Sequence, residues 1–206
     1  ILKTKKEILS FFDKNFTGII DLIPNLDEYF LNNPTGKLIR VSADNWFYEN
    51  KGCLIGDAAH ALVPFYGQGM NASFEDCSKI CEIIDQNNNW KDIFKKFNDS
   101  RKKDADAISE LALRNYDVMK KKVLDERYLE RYLLGFELYD MLPDYFIPEY
   151  IMVSFTNIPY SIVKKRSSIQ DIILDEILSY NKKPKKEILK KIVKQKMIKL
   201  EDEKNS

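Results

Sequence analysis

The stretch Cys53-Leu54-Ile55-Gly56-Asp57-Ala58-Ala59-His60-Ala61-Leu62-Val63-Pro64-Phe65-Tyr66-Gly67-Gln68-Gly69-Met70-Asn71 decides how the rest of the chain is read. Its first three residues form a short apolar run bounded by Gly52 and Gly56, which predicts a buried strand. Residues 52–69 hold four of the seven glycines, so the backbone here is built for tight turns or for close approach of a ligand. From Met70 to about Gln86 the pattern becomes helical, with Phe74, Cys77, Cys81 and Ile84 predicted on one inward stripe. Strand, glycine-rich loop and helix therefore follow in order, and open α/β sheets place ligands at the carboxyl ends of such strands.

The chemistry of the loop narrows the ligand. Asp57 at the strand end can accept hydrogen bonds from sugar or ribityl hydroxyls, and Ala58 and Ala59 leave room for an extended ligand. Gly67 and Gly69 deliver the chain into a helix N-terminus, where free amides and the positive end of the helix dipole stabilise negative charge. No Lys or Arg occurs from Gly56 to Phe74 and no Walker spacing is present, which disfavours a phosphate. A planar, weakly charged heterocycle fits better, and a reduced flavin carries such a charge.

Composition removes other classes. The 206 residues suffice for one sizeable core. Lys+Arg 33 against Asp+Glu 32 leaves a net charge of +1, so no molecule-wide field favours nucleic acid. One histidine, His60, and three cysteines, Cys53, Cys77 and Cys81, do not make a paired zinc site, and the odd count argues against a secreted disulfide framework. Cys77 and Cys81 are expected as small core residues, and His60 as a packing or hydrogen-bonding group that holds the loop. No apolar run reaches the length of a membrane span. The opening Ile1-Leu2-Lys3-Thr4-Lys5-Lys6-Glu7 carries no secretory signal and reads as a mid-chain start.

Outward from the loop, Thr4 and Glu7 have capping-box spacing ahead of a helix over about residues 4–16. An apolar stretch from Ile19 to Ile23 ends at Pro24, and Lys37-Leu38-Ile39-Arg40-Val41-Ser42 is predicted as a strand after dense turn chemistry. Beyond Asn87-Asn88-Asn89 the chain reads as mostly helical to about Leu142, with Asn115 on the inward stripe of Ile108, Leu111 and Val118. Two amphipathic patterns, separated by Asn181-Lys182-Lys183-Pro184, form a lysine-rich tail. That tail suits an acidic membrane surface, and equally a solvated or partner-facing helix.

From Gly56 to Cys77 the sequence resembles the second flavin-binding motif of the class A FAD-dependent monooxygenases, in the form found in the kynurenine 3-monooxygenase family. Gly56-Asp57-Ala58 with His60 marks only the superfamily. The continuation Pro64-Phe65 to Gly67-Gln68-Gly69-Met70-Asn71-Ala72, then Phe74-Glu75-Asp76-Cys77, is more particular, and Leu113-Arg114-Asn115-Tyr116 and 146–155 agree with it. The similarity covers roughly residues 10 to 165.

The resemblance implies an α/β, helix-rich chain, the C-terminal part of a Rossmann-like, two-domain FAD/NAD(P)-binding monooxygenase. It divides the chain into the end of a substrate-domain segment (1–43), the C-terminal part of the FAD-binding domain (44–86), a helical substrate cover (87–168) and the tail (169–206). FAD would be held by Asp57, Pro64, Gly69, Met70 and Asn71, with NADPH as co-substrate. L-kynurenine would meet Phe65, Asn115, Met119 and Tyr150. No residue of this chain is assigned a catalytic or metal-binding role. The implied reaction is hydride transfer from NADPH, reaction of the reduced flavin with O₂, and oxygen transfer to the ring carbon beside the amino group. The chain departs from the family at Asp117-Val118-Met119, where an acidic residue commonly precedes the Met, and in lacking the Gly-x-Gly-x-x-Gly fingerprint and the Arg and Tyr that clamp the substrate carboxylate. The alone-standing chain is expected to be inactive. Two further readings stay open: a hydroxylase of another phenolic or aniline-type ring, and a non-catalytic helical module that keeps the motif as scaffold. The protein is expected to be cytoplasmic or peripheral to a membrane.

Overall fold

A computed structural model describes residues 2–121 and 125–204, with the side chains of Lys121 and Lys204 excepted. It resolves into two compact units, Ile1–Leu38 and Ile39–Ser206.

The first unit is built from α1 (Lys5–Asn15), α2 (Ile19–Leu22) and α3 (Leu26–Asn32). Thr4 caps α1 as its spacing predicts: Thr4 Oγ1 accepts from the Glu7 amide at 3.3 Å and Glu7 Oε2 accepts from the Thr4 amide at 3.0 Å. Ile8 and Leu26 are buried, and Phe12 meets Phe30 edge-on at 5.8 Å.

The second unit holds one hairpin, β1 (Phe47–Tyr48) antiparallel to β2 (Gly52–Cys53), followed by α4 (Asp57–His60), α5 (Gly69–Asp85) and α6 (Trp90–Lys121). Then come α7 (Glu126–Met141), α8 (Glu149–Phe155), α9 (Tyr160–Leu178), α10 (Lys186–Lys196) and α11 (Leu200–Lys204). The long α6 is the spine. Its N-terminal half sets Ile93, Phe97 and Ala105 against Trp46, Ala59 and Ile83. Its C-terminal half sets Ala107, Ile108 and Leu111 against Met152, Val153 and Val163. A third core joins Leu134, Leu138 and Phe146 to Ile173, Ile177 and the α10 residues Leu189, Ile192 and Val193. Asp125 caps α7 by accepting from the Tyr128 amide at 3.1 Å. The expectation of helix through to Leu142 also covers 122–124, which lie outside the described residues.

The chain is helix-rich, and its sheet is smaller than expected. Lys37–Ser42 forms no strand; a single bond, Val41 N–H to Ala61 O at 3.1 Å, holds its end. The Cys53-Leu54-Ile55 run is not a buried strand either, since β2 stops at Cys53 and Leu54 is 40% exposed. An extended apolar segment becomes a ladder only where a neighbour accepts its hydrogen bonds in succession, and here the pairing with β1 is prolonged by one further bond, Leu54 N–H to Trp46 O at 2.6 Å, and then ends. The α5 stripe is also corrected. Ala72, Asp76 and Ile83 face inward, whereas Phe74, Cys77, Cys81 and Ile84 lie on the exposed side.

No helix among the described residues is long and apolar enough to cross a membrane. Leu189, Ile192 and Val193 of α10 are taken up by the third core, and its outer side is mostly lysine with Glu187 and Ile188.

Candidate functional site

The site begins at a turn that only glycine adopts without strain. Gly56 has φ 58° and ψ −138°, and it hands the chain to α4, with Asp57 at its first position and exposed. Underneath, a buried carboxylate ties three elements together. Asp76 Oδ2 accepts from the Gly56 amide at 3.1 Å and lies 2.6 Å from His60 Nε2, while Oδ1 accepts from Arg101 Nε at 2.8 Å. Arg101 also donates to Ala72 O at 3.3 Å and meets Glu75 at 2.9 Å. Burial alone pushes the Asp76 carboxyl up, but the bonds from His60, Arg101 and Gly56 outweigh it and hold the group below the usual Asp value. Conversely Arg101, which burial would discharge, is held above its ordinary value by Asp76 and Glu75. His60 is thus a buried support of the loop, with Trp46 5.2 Å from its ring.

Farther along, Gly67 N–H donates to Pro64 O at 3.1 Å and closes a turn, and Gly67 takes φ 68°. No side chain caps α5, so the amides of Gly69, Met70 and Asn71 have neither a helical nor a capping partner. Asp57, Pro64, Met70 and Asn71 are all exposed, Met70 by 67%. A β-carbon added at Gly67 or Gly69 would meet nothing within 4 Å, so the backbone there is open to an approaching ligand. Ser73 fixes the geometry by donating to Gly69 O at 2.9 Å while its Oγ sits 3.0 Å from where a Gly56 β-carbon would be. Asp57 is thereby held beside the first turn of α5. This surface fits the polar rim of a flavin: open backbone donors, one exposed carboxylate, and no cation from Gly56 to Phe74.

Two of the four expected substrate residues, Asn115 and Tyr150, come together at one cavity, while Phe65 lies beside it and Met119 outside it. Asn115 Nδ2 donates to Phe65 O at 2.7 Å, and Phe65 stacks on Tyr116 with centroids 4.5 Å apart. Asn115 and Tyr150 line a cavity of about 320 Å³ with Tyr66, Arg114, Glu149 and Phe146. Met119 is 56% exposed and does not line it; Val118 does. Tyr66 OH donates to Glu149 Oε1 at 2.7 Å, and burial together with Glu149 pushes the phenol far up, so it stays a donor. Burial lowers Arg114, but Glu149 at 3.5 Å and Asp171 at 2.7 Å more than restore it.

Sequence reasoning missed Asp76 and Arg101. A signal existed: Ala72, Asp76, Ile80 and Ile83 also recur at helical spacing, and an acid within such a stripe asks for a buried partner.

The loop feeds open amides and an exposed acid to one surface, and residues 38–108, which contain it, match the family described as FAD binding domain. More particularly, the chain is similar to part of several kynurenine 3-monooxygenases. It is 47% identical to the kynurenine 3-monooxygenase of Cytophaga hutchinsonii over 180 residues, 86% of this chain and 40% of that protein. The enzyme of Flavobacterium johnsoniae is 43% identical over 178 residues, with 86% and 40% covered, and that of Myxococcus xanthus 36% over 176, with 85% and 38% covered. The chain spans about two fifths of the length of these curated relatives.

Proposed function

We propose that the intact protein is an NADPH-dependent FAD monooxygenase that hydroxylates L-kynurenine to 3-hydroxykynurenine. The observation that carries this is the identity to kynurenine 3-monooxygenases across most of the chain, combined with an α5 N-terminus left uncapped beside Asp57. In this reading 44–86 completes a Rossmann-like FAD-binding domain, 87–168 covers the substrate, and 1–43 ends a substrate-domain segment.

Bound FAD supplies acceptance of hydride from NADPH and the activation of O₂. The chain's part is to bind, orient and keep dry. Asp57 accepts hydrogen bonds from sugar or ribityl hydroxyls. The amides of Met70 and Asn71 donate to the pyrimidine edge, where the helix dipole adds to their effect. Pro64, Phe65 and Gly69 wall the ring, and Asn115 and Tyr150, with Phe65 beside them, meet kynurenine. The 206-residue chain alone holds FAD weakly and is inactive, because the other side of the cofactor site belongs to the rest of the protein.

The test is the protein from its complete reading frame, assayed for flavin absorbance and for hydroxylated product formed alongside NADPH consumption, with kynurenine and a phenol and aniline panel. Product from kynurenine in preference to the panel supports the proposal. Preference for another ring, or a purified protein without flavin, contradicts it.

A further inference from the structure

Three of the substrate-facing residues have sequence neighbours that bond to one another. Phe65 precedes Tyr66, Asn115 follows Arg114, and Tyr150 follows Glu149. Tyr66 OH donates to Glu149 Oε1 at 2.7 Å, and Arg114 stands 3.5 Å from Glu149 Oε2. These contacts join a loop, the C-terminal third of α6 and the first residue of α8; Glu149 is 83 residues from Tyr66 and 35 from Arg114 in sequence. Arg114 is braced in turn by Asp171 on α9, which also accepts from Arg131 at 2.5 Å. The Tyr66 and Tyr150 rings lie 6.0 Å apart, and Asn115 Nδ2 bonds Phe65 O, so the substrate-facing side chains are themselves tied to the same trio.

Glu149 is the hub. Its Oε2 is buried without a hydrogen-bond partner, beside a cavity into which the buried and equally unpartnered Ser167 Oγ also opens. A buried carboxylate oxygen kept this way needs its cation close, so moving Arg114 or Tyr66 has a direct effect on where α8 begins.

We propose that Tyr66, Glu149 and Arg114 form a positioning clamp that sets the spacing of Phe65, Asn115 and Tyr150 around the bound ring; this rests on the substrate reading above. None of the three touches the reacting atoms. Their effect is on orientation, where a misplacement of the order of an ångström costs turnover and lets reduced cofactor be spent without product.

The test uses the full-length protein carrying Tyr66→Phe, Glu149→Gln, Glu149→Ala or the Tyr66→Phe/Glu149→Ala pair. Tyr66→Phe keeps the ring against Tyr150 and deletes only the donor; Glu149→Gln keeps an acceptor for Tyr66. The expected result for Tyr66→Phe is a rise in KM for kynurenine of about tenfold, the usual scale of a lost hydrogen bond to a charged group. The share of NADPH oxidised without hydroxylated product rises with it, while FAD content and KM for NADPH hold. Glu149→Gln should retain more coupling than Glu149→Ala, and the double variant should fall short of the product of the single effects, because one clamp is being broken twice. Tyr66→Phe and Glu149→Ala both within about twofold of native in KM and coupling would overturn the clamp. If native protein hydroxylates another ring of the panel, the substrate reading fails and the same variants are scored on that ring. A native protein that hydroxylates none overturns both.

Discussion

His60 Nε2 lies 2.6 Å from Asp76 Oδ2, with both side chains buried, 16 residues apart and on opposite sides of the glycine-rich loop. Because Arg101 and the Gly56 amide share that carboxylate, one side chain fixes where the loop leaves β2, where it turns at α4 and how it meets α6. Removing one partner of such a buried ionic cluster strands the others. Asp76→Asn should therefore cost about 3–5 kcal/mol of stability, read as a lower denaturant midpoint in urea unfolding.

The same carboxylate makes the fold acid-sensitive. Asp76 sits below the ordinary Asp value in the folded chain, so its contribution is complete above the unfolded pKa of about 4 and disappears as pH falls through the lower folded value. Glu203, lowered by Lys165 and Arg166 against the opposing effect of burial, acts in the same sense. Melting temperature should fall on acidification below about pH 4, and the fall should be shallower in Asp76→Asn than in native protein.

Gly56 meets two demands at once. Its φ of 58° is a conformation that L side chains rarely adopt, and a β-carbon would stand 3.0 Å from Ser73 Oγ and 3.3 Å from Ser73 Cβ. Gly56→Ala should lose about 1–3 kcal/mol of stability. Adding Ser73→Ala removes the closest clash but not the backbone strain, so calorimetry should show only partial recovery.

Arg166 holds the C-terminal helix. It is 1% exposed, pairs with Glu203 at 2.7 Å and donates to the carbonyls of Tyr145 and Ile198. Arg166→Met should release α11 before the rest of the unit loosens, seen as faster proteolytic cleavage near 198–204 while the far-ultraviolet circular dichroism changes little.

Much of this was legible in the residues. Thr4 and Glu7 announce their capping box, and the helices around Met70, Ile108 and Leu189 follow from periodicity and breakers, because those signals are local. The glycine spacing marked the tight turns for a related reason, and Gly56 and Gly67 both take positive φ. What failed was nonlocal. Cys53-Leu54-Ile55 has strand composition, but its pairing stops after β1 and the single Leu54–Trp46 bond, and the Phe74 and Cys77 stripe lost to a face whose centre is the charged Asp76. Hydrophobic periodicity cannot select a face that carries a buried acid; only His60 and Arg101, 16 and 25 residues away, explain it. The Tyr66–Glu149 bond spans 83 residues and leaves no local trace at all.

Asp57 is exposed and bears little on the fold, so its role is separable from stability. In the full-length protein Asp57→Ala should melt within about 0.5 kcal/mol of native, as surface changes usually do. Its FAD affinity should fall about tenfold or more, measured by fluorescence quenching, because the proposed sugar or ribityl contacts would lose their acceptor.

The central claim, that the first-turn amides of α5 hold the flavin's electron-rich edge, is tested most directly by amide hydrogen exchange on the full-length protein with and without FAD. Slower exchange confined to Gly69, Met70 and Asn71 and the loop around Asp57 is the predicted result. Unchanged exchange at Met70 and Asn71 under saturating FAD would contradict it.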